Sequence, residues 1–233
     1  MKNKQAFTLA EVLITLGIIG VVAALTMPML IDSYNKSLTE TRLKKFYSTI
    51  NQAYNRVIAE RGDYEAWIDD FKILSEQVDG KTIDKNEVVT ANFKAYFGKY
   101  IDFVDEKTVQ ADGYTRHLFY LKDGSAMAPA AYNTADYEFF PKNAAKCLKR
   151  DGAERFGSCS FPFFMHGLKT DYLKGFAPYW YPLKKNEFTI EELYHGSNRS
   201  CGDGTINDGN YCGLIIMLNG WKIPKDYPRQ IRY

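Results

Sequence analysis

The carboxylate of Glu11 is the first group in the sequence whose chemistry needs an explanation. It is the single charge in the apolar run FTLAEVLITLGIIGVVAALTMPMLI, residues 7–31. An ionised side chain within a membrane-spanning helix costs about 2.5 to 3.5 kcal/mol on insertion scales. Two explanations are open at this point: Glu11 lies close enough to the membrane interface for its side chain to reach water, or it has a specific partner or function.

Four cysteines form the second group of reactive residues, and none of them lies in the apolar run. They show neither a C-x-x-C motif nor a Cys/His spacing typical of zinc. Two disulfides in an oxidising compartment are therefore expected. Of the three possible connectivities we favour the two sequence-local bridges, and four free buried thiols are the alternative. The favoured pairs are Cys147–Cys159 and Cys201–Cys212.

A loop rich in oxygen ligands, CGDGTINDGN at residues 201–210, is a candidate calcium site. Asp203, Asn207 and Asp208 offer the carboxylate and amide oxygens that Ca²⁺ prefers. The EF-hand template fails, because its sixth position holds Asp208 instead of Gly and its twelfth holds Leu214 instead of Glu. Asp, Asn and Gly are also common turn residues, so an ordinary turn is the favoured interpretation and no other cofactor is expected.

Motifs for enzymatic chemistry are missing from the sequence. It contains no G-x-S-x-G, P-loop, H-E-x-x-H or dinucleotide fingerprint. The three histidines, His117, His166 and His195, are far apart in sequence, so each is expected to be a surface or packing residue. We therefore expect a protein that is not an enzyme.

Length and composition fit one folded domain, or one folded domain with an appendage. The chain has 233 residues, of which 45% are hydrophobic and 25% charged, and its net charge is +2. So small a net charge makes nucleic acid an unlikely partner. The negative mean hydropathy excludes a protein with many membrane spans.

The apolar run is long enough to cross about 30 Å of hydrocarbon as one helix. Lys2 and Lys4 precede it, which predicts a cytoplasmic N-terminus and a globular domain outside the cytoplasm. A cleaved secretory signal has an apolar core of about 7–15 residues followed by a small-x-small site. The longer core of this chain favours a membrane helix over such a signal.

The residues around Glu11 form a longer pattern. A small residue, Ala6, precedes Phe7, and Glu11 is the fifth residue counted from that Phe. With the lysines upstream, this pattern resembles the class III signal of type IV prepilins and type II secretion pseudopilins, over about residues 1–60. The resemblance implies that a prepilin peptidase removes the leader 1–6, cutting between Ala6 and Phe7, and then N-methylates Phe7. The family more often has Gly where this chain has Ala6.

The resemblance also implies a role in assembly. In filaments of this family the Glu carboxylate neutralises the N-terminal amine of a neighbouring subunit, which is the role implied for Glu11. Pairing compensates two charges that are each costly when buried alone. Pro28 matches the family's helix-kinking proline, and we expect it to kink or locally melt the helix. The implied partners are the peptidase, other pilin or pseudopilin subunits and the inner membrane.

Apolar residues continue at helical spacing from Leu38 to Ile58, which predicts one helix over residues 7–61. Its part 7–31 would lie in lipid or a filament core, and its amphipathic part 32–61 would pack on a globular domain at 62–233. A plain membrane anchor followed by a separate helix is the alternative.

Beyond this helix we predict an α+β fold, in which the helix packs on a small antiparallel sheet with disulfide-tied loops. Two helical pieces are expected within residues 63–101. Asp123-Gly124 between apolar runs predicts a hairpin over residues 117–128. Residues 160–164 and 175–181 are weaker strand candidates because each contains proline. Residues 214–218 fit a strand or a helix.

The favoured function is a structural subunit, with a minor or accessory position, of a type IV pilus or a type II secretion filament. The alternative is a signal-anchored exported enzyme or receptor. A DNA-uptake pilin would need a basic patch, but the available cluster is typical of a solvated face. This cluster comprises Lys142, Lys146, Lys149, Arg150 and Arg155. The aromatic run at 176–182 fits a core segment better than a binding surface.

Overall fold

The computed structural model describes residues 8–67, 85–111, 113–129, 136–166, 173–180, 188–202 and 208–233. The chain divides into two compact units, the N-terminal segment up to Ser37 and the head from Leu38 to Tyr233. Helix α1, Leu9–Arg61, contributes to both units. The predicted single long helix is therefore confirmed over the described residues.

The C-terminal part of α1 forms one side of the head core. Its buried residues recur every three or four positions, as expected for a helix with one face on a core. They are Thr39, Leu43, Phe46, Ile50, Ala53, Tyr54 and Val57. The aromatic ring of Phe46 stacks on Phe139 with a centroid distance of 4.3 Å and meets Phe163 edge-on at 5.0 Å.

Shorter helices complete the helical part. A 3₁₀ turn, Tyr64–Ala66, follows α1, and a second one, Gly98–Tyr100, follows helix α2, Lys85–Phe97. The second of the two predicted helical pieces is thus confirmed as α2, whereas most of the first lies outside the described residues. The remaining helices are α3 (Ala144–Cys147), α4 (Gly152–Arg155), α5 (Ile190–His195) and α6 (Cys212–Leu218). Residues 214–218 are therefore helical.

An antiparallel six-stranded sheet forms the other side of the core, with its strands in sequence order. The expected α+β fold and the hairpin through Asp123-Gly124 are confirmed, and both proline-containing strand candidates form strands. The strands are β1 (Phe103–Ala111), β2 (Tyr114–Leu121), β3 (Ala126–Pro129), β4 (Asp136–Phe140), β5 (Phe161–His166) and β6 (Gly175–Pro178).

A side chain of α1 covers the edge of the sheet at β6. Asn51 accepts a hydrogen bond from the backbone N–H of Phe176 at 2.9 Å and donates one to its carbonyl at 2.7 Å. The amide thus satisfies two backbone groups of an edge strand, which would otherwise pair with another chain. Gly175 allows this approach, because a Cβ there would lie 2.2 Å from the Asn51 side-chain oxygen.

A charged triad is buried inside the head. Arg116 and Arg155 are 0% exposed, and both bond to Glu138, at 3.0 and 2.7 Å. Arg155 also donates to the backbone carbonyl of Arg150 at 2.9 Å. Buried charges persist only when paired and hydrogen-bonded, as these are. Arg155 was expected in a solvated basic cluster, and that expectation is wrong because its guanidinium serves this interior carboxylate.

The C-terminal residues 221–233 form neither helix nor strand and lie on the head. Lys222 pairs with Glu40 of α1 at 2.7 Å, and the backbone N–H of Ile223 donates to the same carboxylate at 2.9 Å. The hydroxyl of Tyr233 is hydrogen-bonded to that of Thr39. The tail therefore fastens the end of the chain to the helix that opens the head.

Candidate functional site

Glu11 belongs to a capping box at the start of α1. Its Oε2 accepts hydrogen bonds from the backbone N–H and from the hydroxyl of Thr8, each at 2.8 Å. In return, the Thr8 hydroxyl accepts the backbone N–H of Glu11 at 3.3 Å. This reciprocal pair satisfies two backbone N–H groups that the first helical turn leaves without partners.

The sequence predicted an assembly role for Glu11, and its capping of the helix was missed. The signal was present as Thr8-Leu9-Ala10-Glu11, a T-x-x-E pattern just before an apolar helix. Among the described residues, Oε1 of Glu11 has no hydrogen-bond partner. One oxygen of the carboxylate thus caps the helix while the other is available to a group from outside the chain.

The helix that starts at this box presents an apolar surface. Its large hydrophobic side chains between Leu9 and Ile31 are 43–80% exposed in the single chain. Among the described residues α1 is the one helix long and apolar enough to cross a membrane. Exposed apolar surface of this extent requires lipid or other protein around it.

Pro28 lies within α1, and the residues on both sides of it remain helical. Of the two expected effects of Pro28, a kink or local melting, the helix shows no melting, and the kink stays a prediction. A proline removes one intrahelical hydrogen bond and leaves the bonds of its neighbours in place.

The other predicted processing and metal residues are only partly described. Ala6 and Phe7, and Asp203 and Asn207 of the candidate calcium loop, lie outside the described residues. Asp208 is described and lines a cavity of the head. No group of three or more His, Cys, Asp or Glu side chains that could hold a metal is present in the part of the chain that the structure describes.

Both sequence-local disulfides are present in the head. Cys147 is bonded to Cys159, and Cys201 is bonded to Cys212. The first closes the segment that contains α4 and its buried Arg155. The second joins the loop after α5 to the start of α6. Bridges of this loop length stabilise a fold by about 3 kcal/mol in the chain-entropy model.

The histidines have separate environments. His166 is buried between the rings of Phe164 and Trp180, with centroid distances of 4.4 and 4.5 Å. Burial lowers the pKa of His166 to about 3, so its imidazole is neutral. His117 lies beside Glu106 at 3.2 Å, whereas His195 is exposed at the end of α5. The structure does not bring the three together. In the aromatic run predicted at 176–182, Phe176 and Trp180 are buried as expected of a core segment, Tyr179 is half-buried, and residues 181–182 lie outside the described residues.

Two family models match the chain. The model of the prokaryotic N-terminal methylation motif matches residues 1–27. A long apolar helix behind this motif fits a type IV pilin or pseudopilin, so the chain is a pilin-like filament subunit. The motif implies processing by the prepilin peptidase, anchoring in a membrane and later assembly into a filament.

The second model covers most of the rest of the chain. It is described as a family of unknown function, DUF6613, and matches residues 29–231. The chain belongs to this family. No curated protein and no solved structure matches the chain.

Proposed function

We propose that the chain is a minor pilin or pseudopilin, a structural subunit of a type IV pilus or a type II secretion filament. The peptidase cuts between Ala6 and Phe7, and the new N-terminal Phe7 is methylated. Before assembly the subunit is anchored in the inner membrane with its head outside the cytoplasm. It then joins the filament by packing α1 against neighbouring subunits. This role is structural and needs no catalytic group.

The observation that carries this proposal is the position of Glu11. It stands at the first turn of an exposed apolar helix, within a segment matched by the methylation motif. An apolar helix is stable in lipid because its backbone hydrogen bonds are internal. An ionised carboxylate at the same depth needs a positive partner. A neighbouring subunit's N-terminal amine is such a partner, and Oε1 of Glu11 is the oxygen available to it.

The head supports its placement outside the cytoplasm. The head contains two disulfides, and disulfides form and persist in oxidising compartments. Lys2 and Lys4 before the apolar run favour a cytoplasmic N-terminus. The mature chain of 227 residues then carries equal numbers of basic and acidic residues, since the leader removes both lysines.

Two substitutions of Glu11 separate assembly from helix capping. Glu11→Gln keeps a side-chain oxygen at the third helical position, where Gln also completes a capping box, but it removes the charge. Glu11→Ala removes both functions. We expect both variants to be inserted into the membrane and absent from sheared filaments, as measured by quantitative immunoblotting of membrane and filament fractions. Thr8→Ala, which removes the capping hydroxyl and keeps the charge, is the matched control and should still assemble.

The outcomes distinguish the alternatives. If Glu11→Gln assembles normally while Glu11→Ala does not, the carboxylate acts through capping and the proposed charge pairing is wrong. If both variants behave as the wild type, the chain is a signal-anchored protein whose function lies in its head, such as an exported enzyme or receptor.

A further inference from the structure

A polar cavity of about 480 Å³ lies in the head beside the first residue of β4, and we name it the Asp136 cavity. Its size is within the range of small-molecule sites, about 300–1,000 Å³. Four segments distant in sequence meet there: β4, the start of α4, β5 with the residue after β6, and the loops on either side of the second disulfide. Its lining includes Asp136, Asp151, Phe156, Tyr179, Arg199 and Asp208.

One wall of the cavity is held by the second disulfide. Cys201–Cys212 joins two loop stretches that also pair through their backbones. The N–H of Gly209 donates to Ser200 at 3.0 Å, and the N–H of Tyr211 donates to Arg199 at 3.1 Å. The backbone at Arg199 and Asp208 is therefore held by a covalently closed frame, which limits the backbone ordering that ligand binding would require.

Like the Tyr137 hydroxyl in the same lining, the Asp136 carboxyl has an oxygen without a hydrogen-bond partner. The side chain is partly exposed, yet its Oδ1 is buried without a hydrogen-bond partner. Burial raises the pKa of Asp136 to about 7, against the opposing effect of the Arg199 charge. Burial therefore favours the protonated carboxyl, and in that form it both donates and accepts hydrogen bonds.

The charges around the cavity cancel. Asp151 and Asp208 contribute two carboxylates, and the buried Glu138 contributes a third. Three guanidiniums oppose them: Arg199 on the wall, and the Arg116 and Arg155 groups bonded to Glu138. Apart from Asp136, the described charged groups of the wall and its immediate support are three carboxylates and three guanidiniums, and their charges cancel. Such a site favours neither an anion nor a cation.

The rest of the wall is aromatic and apolar. Phe156, Phe163 and Tyr179 line it together with Pro162. The face of an aromatic ring carries partial negative charge, which suits the partly positive C–H groups of a sugar ring. Planar polar groups beside such rings supply hydrogen bonds in fixed directions, and Asp136, Arg199 and Asn210 are groups of that kind.

We propose that the Asp136 cavity binds a neutral polyhydroxylated ligand, a saccharide, whose hydroxyls exchange hydrogen bonds with Asp136, Arg199 and Asn210 while a ring face packs on the aromatic wall. This function of the head is additional to filament assembly and does not depend on it. It would give a filament that carries this subunit a means to hold glycan-bearing surfaces.

A larger cavity of about 580 Å³ beside the C-terminal tail is a poorer binding site. Its guanidiniums already serve the protein itself. Arg229 donates to the carbonyls of Gly202, Ala153 and Phe156, and Arg150 donates to that of Arg232. A ligand would have to replace these bonds, whereas the Asp136 cavity contains a carboxyl oxygen with no bond to lose.

The test uses the full chain, with its disulfides intact, purified in a zwitterionic detergent. Maltoside and glucoside detergents are excluded because their headgroups are themselves saccharides. The protein is applied to an array of defined neutral and anionic oligosaccharides, and the strongest neutral ligand is then titrated by calorimetry. We expect Arg199→Ala to weaken its binding at least tenfold. Arg232→Ala removes an exposed guanidinium that is bonded to Gln230, and this control should bind within about twofold of the wild type.

Asn210→Ala, which removes one of the proposed hydrogen-bonding groups, provides a second variant if Arg199→Ala alters the fold, and it should also weaken binding. The proposal is overturned if no neutral oligosaccharide binds, or if only sulfated, phosphorylated or other anionic glycans do. It is also overturned if Arg232→Ala weakens binding as much as Arg199→Ala. Saturable binding of Ca²⁺ alone that is lost in Asp208→Ala would assign the cavity to a cation instead.

Discussion

The N-terminal segment exposes its apolar side chains, whereas the head buries them. In the segment, Leu9 and Met29 are 80% and 75% exposed, whereas Leu43 and Phe139 of the head are fully buried. Both regions are rich in apolar residues, and α1 contributes to both. The difference lies in what covers them, because the head covers its own apolar face with a sheet.

This contrast separates a region that buries its own apolar surface from a region that needs other molecules to cover it. The head has a core, two disulfides and a buried charged triad, so it covers its own apolar residues. The apolar surface of the segment is far beyond what an isolated soluble protein exposes. The segment is therefore the part of the chain designed for lipid first and for neighbouring subunits afterwards.

The contrast can be tested by removing apolar atoms from each region. Phe46→Ala empties a site in the head core and should lower the free energy of unfolding by about 3–5 kcal/mol. Leu16→Ala, in the exposed part of the helix, should change it by less than about 0.5 kcal/mol. Both are measured by denaturant unfolding of the full chain in detergent, followed by tryptophan fluorescence. Equal losses would mean that the segment also belongs to the folding unit.

A second test concerns the charges of the head. Glu138→Gln keeps the shape of the side chain but leaves Arg116 and Arg155 buried without a counter-charge, which should cost about 3–5 kcal/mol. Its control, Glu106→Gln, breaks a surface pair with Lys94 and should cost no more than about 1 kcal/mol. The same unfolding assay applies. A small effect of Glu138→Gln would show that water reaches the triad.

The covered edge of the sheet gives a smaller effect. Asn51→Ala leaves the N–H and the carbonyl of Phe176 without their side-chain partner, at a cost of about 1–3 kcal/mol. Gln52→Ala, one residue later on the exposed side of α1, should be within about 0.5 kcal/mol of the wild type. An Asn51→Ala protein as stable as Gln52→Ala would mean that water replaces the amide at the edge of β6.

The smallest effect is expected from Asp123 in the hairpin turn. Hydrogen bonds from Lys45 and Ser125 lower the pKa of Asp123 to about 2, although partial burial acts in the opposite direction. Its ionised form therefore stabilises the head above about pH 4, and this contribution is lost as the pH falls towards 2. Screening by water limits it to about 1 kcal/mol or less. The stability difference between the wild type and Asp123→Asn should be constant above pH 5 and should vanish at acid pH.

The sequence predicted the elements whose patterns are local. The spacing of apolar residues between Leu38 and Ile58 defined α1, and Asp123-Gly124 defined the β2–β3 hairpin. Strand β1 was missed because it is a largely exposed edge strand without alternating apolar residues. Pro162 weakened the prediction of β5, but its carbonyl still accepts the N–H of Tyr179 at 3.0 Å.

The same restriction to local patterns applies to the functional sites. Glu11 was found from a short motif, and its partner Thr8 could have been found from the same four residues. The Asp136 cavity and the Arg116–Glu138–Arg155 triad join residues from distant segments, so no local sequence pattern predicts them. In sequence Arg155 resembles the lysines near it, and only the fold shows that its guanidinium faces the interior.

The central claim is that the N-terminal segment is processed for filament assembly while the head is closed by disulfides. Intact mass spectrometry of the non-reduced protein from its native membrane tests both parts at once. We predict the loss of the leader MKNKQA, a gain of about 14 Da for one methyl group, and a deficit of about 4 Da for two disulfides. A full-length mass from a strain that has the peptidase would contradict the account and would reduce residues 7–31 to a plain membrane anchor.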